Sequence, residues 1–263
     1  MKNHIRKWGI WFGAFGFDVF KFLRGLKGFP FVVKEYIKFK TEKPFGEFPI
    51  SLNYPCPADR FEAAGTASGH YFHQDLLVAH KIFERNPKRH VDIGSRIDGF
   101  VAHVATFREI EVLDFRPLDK YIRNISFHEF DLLNSSGKYA NYTKSLSCLH
   151  TLEHLGLGRY GDPIMPDGYV RGFETLYSIL KPGGILYLSV PIGSQRIEFN
   201  AHRVFSIKTI LNMVKDKLEM TDFSYVDDDG NLHESVGLTE RAIENSYNCW
   251  YGCGIFELRK SEI

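Results

Sequence analysis

No apolar run in the 263 residues approaches the ~18 that a membrane-spanning helix needs, so a helical membrane protein is not expected. Cysteine is scarce. Cys56, Cys148, Cys249 and Cys253 make neither a disulfide framework nor a zinc-type Cys-x-x-Cys pair, which points to reduced thiols in a cytoplasmic protein. Excess charge of one sign is lacking too. Against 33 Lys and Arg stand 32 Asp and Glu, and a net charge of +1 gives the whole molecule no reason to bind nucleic acid. No small-residue cleavage site follows the N-terminal apolar stretch, so no secretory leader is expected. The turn Gly94-Ser-Arg-Ile-Asp-Gly99 does not read Gly-x-Gly-x-x-Gly, which argues against a nicotinamide-dependent sugar-modifying enzyme.

What is present suits one generous globular domain with an extension: 44% of residues are hydrophobic and 25% charged. The charge is unevenly spread. Residues 1–43 hold ten Lys or Arg against three acids, interleaved with Trp8, Trp11 and phenylalanines from Phe12 to Phe31. Such an arm is expected either to pack on the main domain or a second copy, as a homo-oligomer contact, or to lie on an anionic membrane surface. Residues 44–68 read as a connector broken by Pro44, Pro49, Pro55 and Pro57, and residues 69–263 as an α/β domain. Within it, helical periodicity returns from Gly69 to Asn86 and would place His70, Tyr71 and Gln74 at a helix start.

The organising stretch is His90-Val-Asp-Ile-Gly-Ser-Arg-Ile-Asp-Gly-Phe100. A β-branched run stops at Gly94, a helical segment begins at Gly99, and a second strand ends on Asp114, 20 residues beyond Gly94. A glycine turn feeding a helix N-terminus offers free N–H groups to an anion, and an acid at that offset reaches a ribose diol. Further strands are expected at Ile125–Phe130, Ser145–His150 and Ile185–Val190, the last preceded by Leu180-Lys-Pro-Gly-Gly184. Phe223–Val226 and Gly254–Leu258, with the turn Asp227–Asn231, suggest a closing antiparallel hairpin.

Val91-Asp-Ile-Gly94 with Asp114, and the "LKPGG" element before its strand, resemble class I S-adenosylmethionine-dependent methyltransferases over roughly residues 70–260. More narrowly, the whole chain resembles an uncharacterised methyltransferase-like group, a domain of unknown function linked to bacterial surface-sugar biosynthesis. The resemblance implies a Rossmann-like α/β fold: a mostly parallel sheet, a C-terminal antiparallel hairpin and, here, the basic aromatic N-terminal extension. It implies S-adenosyl-L-methionine as cofactor, held by Asp92, Gly94, Ser95, Arg96, Gly99, Asp114, Asp131 and Leu132. Two positions depart from the family pattern, because Arg96 and Asp98 replace its second and third glycines. Arg96 is expected to reach the methionine carboxylate, and Asp131 and Leu132 the adenine edge and face.

In such a sheet the chemistry belongs to loops beyond the carboxyl ends of the strands. After strand four, His150-Thr-Leu-Glu-His154 resembles the Leu-Glu-His segment of quinone-type O-methyltransferases. His150, Glu153 and His154 are an altered metal-ligand set, and a proton-accepting histidine is preferred over a divalent metal. The polar stretch after strand five is expected to be a substrate lid, adding His202 as a base and Arg196, Asn200 and Arg203 as acceptor contacts beside Tyr71 and Glu153. The expected activity is O-methylation of a sugar or other small polar acceptor, at the inner membrane face if the arm binds lipid. The alternative is a non-catalytic scaffold of the same fold.

Overall fold

The computed structural model describes residues 11–42, 48–135 and 137–262, so Trp8, Lys43, Pro44 and Ser136 lie outside the described residues. Two compact units divide between Thr66 and Ala67. The first contains helix α1 (Val19–Thr41), whose Asp18 caps the N-terminus by accepting from the backbone N–H of Lys21 at 2.9 Å. The proline-rich stretch does not simply extend away from it. Gly28 leaves room for the Pro57 carbonyl, which would lie 1.8 Å from any Cβ there. Arg60 pairs with Glu35 at 2.7 Å and lies over the Phe31 ring. Among the described residues, arm and connector therefore pack on each other as one unit. Trp11, Phe15, Phe20, Leu26 and Phe39 remain exposed among its lysines. No described helix is long and apolar enough to cross a membrane.

The second unit is built on an eight-stranded sheet of order β3-β2-β1-β4-β5-β10-β8-β9. Its strands are β1 (Val91–Ile93), β2 (Ile110–Asp114), β3 (Ile125–Glu129), β4 (Thr143–Leu149), β5 (Leu180–Ile192), β8 (Leu218–Val226), β9 (Leu232–His233) and β10 (Gly252–Lys260). Strands β1 to β5 are parallel, and β10 runs antiparallel between β5 and β8. The chain order reverses between β1 and β4, which is where open α/β sheets bind ligands. The five parallel strands fall where the alternation and apolar runs put them.

Three expectations need correction. The closing pair is not a tight hairpin: the Asp227–Asn231 turn joins β8 to β9, and the chain returns as β10 only after a helical excursion. Lys181-Pro-Gly-Gly184 lies inside β5 and not before it: the preceding helix ends at Ile179, Leu180 pairs with Thr143, and a register shift follows before Ile185. The lid is instead a second, two-stranded sheet of β6 (Arg196–Glu198) and β7 (His202–Val204).

Helices cover both faces. On one, Leu77, Val78 and Ile82 of α2 (His70–Arg85) pack with Phe100 and Val104 on Val112, Tyr187 and Ile255. On the other, Phe173 and Leu176 of α4 (Gly168–Ile179) and Ile207 and Ile210 of α5 (Ile207–Val214) pack on Leu146, Leu188 and Phe256. Each fully buried aliphatic side chain there contributes about 1.5–3 kcal/mol. Between α2 and α4, the helix expected after β1 is short: a π-type turn (Ile97–Val101) leads into α3 (Ala102–Ala105), since Gly99 at φ −123°, ψ −114° interrupts regular winding. Buried Glu257 docks the C-terminal half of α2 by accepting from Lys81 (3.2 Å) and Arg85 (2.7 Å), while at its N-terminal end Gln74 Oε1 accepts from Ser189 Oγ (2.5 Å) and His70 bonds the Tyr251 carbonyl (3.1 Å).

Candidate active site

A cavity of about 430 Å³ opens at the carboxyl ends of β1, β2, β3 and β4. Its floor is the turn after β1. Gly94 adopts φ +71°, and a Cβ there would meet Thr151 Cγ2 at 2.7 Å, so the position requires glycine on both counts. Asp92 is wholly buried and does not line the cavity. It accepts from the Ser95 N–H (3.0 Å) and Ser95 Oγ (2.7 Å) and bonds Ser147 Oγ (2.5 Å). Its role is to hold the turn, not to touch a ligand. Burial raises its pKa to about 7 in spite of these hydrogen bonds.

Asp114 ends β2 and lines the cavity, as does the Asp131–Leu132 pair after β3. Asp131 also caps its own loop, accepting from Leu133 N and Asn134 Nδ2 at 2.8 Å each. The Asp114 carboxylate is engaged by Arg116, through the backbone N–H at 2.8 Å and the guanidinium Nε at 3.0 Å. Arg116 Nη2 reaches on to the Gly94 carbonyl at 3.1 Å, tying the first two strand ends together.

Arg96 does not behave as expected. Its guanidinium grips Asp98, Nε to Oδ1 at 3.0 Å and Nη2 to Oδ2 at 2.7 Å, on an exposed edge of the cavity. Gly99 is not a lining residue at all; a Cβ there would meet Asp75 Oδ2 at 2.8 Å. Asp75 lines the cavity in its place, and burial raises its pKa.

His150 and His154 both line the cavity, with Tyr71 beside His150 at 5.1 Å between ring centroids. His150 sits in the left-handed region at φ +50°, unusual for a side chain of its size. Its Nδ1 donates to Glu153 Oε1 at 2.7 Å. Burial opposes charge on His150, but the neighbouring Cys253 and Glu153 outweigh it and hold the ring well above its ordinary pKa. His154 Nδ1 donates to the Ala201 carbonyl at 2.7 Å, and burial keeps its pKa below the ordinary range, so the ring is neutral at pH 7. Glu153 stands behind the histidines, wholly buried, not in the cavity wall.

The predicted lid residues lie elsewhere. His202 packs on Tyr251, 4.9 Å between ring centroids. Arg196 bonds Glu198 (2.7 Å) and the Trp250 carbonyl (2.9 Å), Asn200 is exposed at the turn between β6 and β7, and none of the three lines the cavity. Arg203 is 4% exposed and donates to the carbonyls of Glu153 (3.3 Å), Leu155 (2.6 Å) and Pro166 (3.1 Å). That makes it a clamp on the loop after β4 and corrects its expected part in acceptor binding. Arg159, Tyr160 and Asp162 complete the wall, and sequence reasoning missed them together with Asp75 and Arg116. The available signal was the glycine-dense run Gly156-Leu-Gly-Arg-Tyr-Gly161 directly after strand four.

The sheet order, its single antiparallel insertion and the position of the cavity define a Rossmann-like methyltransferase fold. The chain belongs to the family described as Caenorhabditis protein of unknown function, DUF268, which matches residues 102–248. No curated protein matches it. Among solved structures it is similar to the N-methyltransferase NodS from Bradyrhizobium japonicum WM9 in complex with S-adenosyl-L-homocysteine, at 14% identity and a TM-score of 0.48. That match covers 73% of this chain and 88% of the other. It is also similar to the [4+2]-cyclase SpnF (15% identity, TM-score 0.49, covering 90% and 96%). An S-adenosylmethionine-dependent methyltransferase from Clostridium acetobutylicum ATCC 824 is similar at 12% identity and a TM-score of 0.48, covering 74% and 94%.

Proposed function

We propose that this protein is an S-adenosylmethionine-dependent methyltransferase. One observation carries the reading: a single cavity collects the glycine turn after β1, the acid ending β2 and the Asp131–Leu132 pair after β3. Those groups match the cofactor's methionine end, ribose and adenine in sequence. Asp114 would accept from the ribose hydroxyls after Arg116 swings off it, and Leu132 would pack on the base. Methyl transfer then needs an acceptor oxygen in line with the sulfonium and a group to take its proton. His154 suits that role best. It is neutral at pH 7, and its Nδ1–H is anchored on Ala201, so Nε2 would accept the proton once Arg159 Nη1, 3.4 Å away, gives way.

For the acceptor we propose a sugar hydroxyl or a similar small polar group in cell-surface polysaccharide assembly. The polar rim of Arg159, Tyr160 and Asp162 supports it, together with the family resemblance of the sequence. The exposed aromatics and lysines of α1 support a peripheral contact of the first unit with an anionic membrane. A second reading, a scaffold that has lost the reaction, is favoured by the Arg116–Asp114 and Arg96–Asp98 pairs, which occupy groups the cofactor would need. Turnover of S-adenosylmethionine against a panel of sugars separates the two. His154→Asn should retain cofactor binding and lose about 10²–10⁴ in kcat. Wild-type protein that binds cofactor yet methylates none of the panel would favour the scaffold.

A further inference from the structure

Three side chains from three elements converge beside the cavity. His70 opens α2, His150 follows β4, and Cys253 lies in β10; they offer one ligand atom each, all within 4.8 Å of one another. Cys253 is wholly buried and His150 nearly so. The outer nitrogen of each imidazole is anchored on an acceptor: His150 Nδ1 on Glu153 Oε1 at 2.7 Å, and His70 Nε2 on the Tyr251 carbonyl at 3.1 Å. These bonds fix which nitrogen of each ring is left over. His150 Nε2 is buried and has no hydrogen-bond partner among the described residues. A histidine held from behind by a carboxylate or carbonyl, with its second nitrogen free, is the arrangement found at metal centres.

We propose that His70, His150 and Cys253 bind a Zn²⁺ ion, leaving a fourth position for water or an acceptor oxygen at the cavity that His150 lines. One sulfur and two imidazoles suit a borderline-soft ion and not Mg²⁺ or Ca²⁺, which take oxygen ligands. Zn–S and Zn–N bonds of about 2.3 and 2.0 Å put tetrahedral donors roughly 3.3–3.7 Å apart, so binding draws these side chains inward by about 1 Å. The Cys253 S–H proton and the His150 Nε2–H proton leave to solvent as the S–Zn and N–Zn bonds form, and no electron is transferred. His70, Cys253 and their anchors are scattered along the chain, so no spacing motif announces the set. Glu153 is the orienting partner of His150 and not a ligand.

The site does not depend on the cofactor reading. Full-length protein stripped with a chelator and titrated with Co²⁺ should bind one equivalent and develop thiolate-to-cobalt charge transfer with tetrahedral d–d bands. Cys253→Ser should lose the charge-transfer band and bind Co²⁺ at least a hundredfold more weakly, and Cys56→Ser should retain both. Should Cys253→Ser fail to fold, X-ray absorption of the zinc-loaded wild type decides, with one sulfur and two imidazole nitrogens expected around the metal. Wild-type protein that takes up no cobalt, or a bound metal without a sulfur neighbour, would overturn the proposal. S-adenosylhomocysteine titrated into the same stripped protein reads the cofactor site separately, so either result can fail alone.

Discussion

Asp92 offers a test of how the turn beneath the cavity is held. Its carboxyl has no contact with water, and burial raises its pKa from 3.8 to about 7 although three hydrogen bonds favour the ion. In the unfolded chain it titrates at its ordinary value. Between these limits the folded state binds more proton than the unfolded, so this group makes stability fall as pH rises from about 4 to about 7. From pH 5 to pH 8 the fall amounts to roughly 2–3 kcal/mol. His70 and His90 act in the opposite sense. Burial lowers their pKa values to about 4 and about 3, so their contribution is present at high pH and lost on acidification through the ordinary histidine range. The observable is therefore a difference, the unfolding free energy of wild type minus that of Asp92→Asn, by urea denaturation at pH 5 and pH 8. The variant carries a pH-independent penalty, because an amide N–H₂ can replace an oxygen that accepts from Ser95. The wild-type advantage should shrink with rising pH. A constant or growing advantage would mean that the serine hydrogen bonds keep Asp92 ionised, and the reasoning would be refuted.

Arg203→Ala should leave the buried Glu153 carbonyl and the partly buried Leu155 and Pro166 carbonyls without their donor and cost about 1–3 kcal/mol, read as a fall in Tm of several degrees, while S-adenosylhomocysteine affinity changes less than about threefold. An unchanged Tm with lost ligand binding would restore Arg203 to the acceptor site. For the first unit, full-length protein should sediment with phosphatidylserine vesicles at low salt and release at high salt, at about 1 kcal/mol per basic residue near the surface. Indifference to vesicles, with self-association in their place, would assign the exposed aromatics to a second copy.

Much of the fold was legible because strand signals are local. Val91–Ile93 and Ile110–Asp114 are short apolar runs bounded by turn residues, and α2 shows its 3.6-residue period up to Asn86. What was not legible depends on distance in the chain. Nothing near Arg203 announces that the carbonyls of Glu153, Leu155 and Pro166 will surround it, so a buried clamp read as a polar lid. Arg96 read as a ligand group because the sequence does not say that Asp98, two residues on, will turn back to meet it. Arg116 was overlooked for the converse reason: an ordinary arginine becomes part of the site only when Asp114 and Gly94 lie beside it. The start of β5, expected at Ile185, failed for a different cause. Pro and Gly mark a break but not its side, and pairing of Leu180 with Thr143 put the break inside a strand.

The central claim is that Asp114 sits where a cofactor ribose binds. Isothermal titration of S-adenosylhomocysteine into wild type, Asp114→Ala and Arg116→Ala tests it most directly. Two charge-assisted hydrogen bonds lost with Asp114 are worth about 2–4 kcal/mol, so that variant should bind roughly 30- to 1,000-fold more weakly. Arg116→Ala, which frees the carboxylate, should keep its affinity or gain some. Wild-type protein that binds the ligand no better than Asp114→Ala would contradict the account.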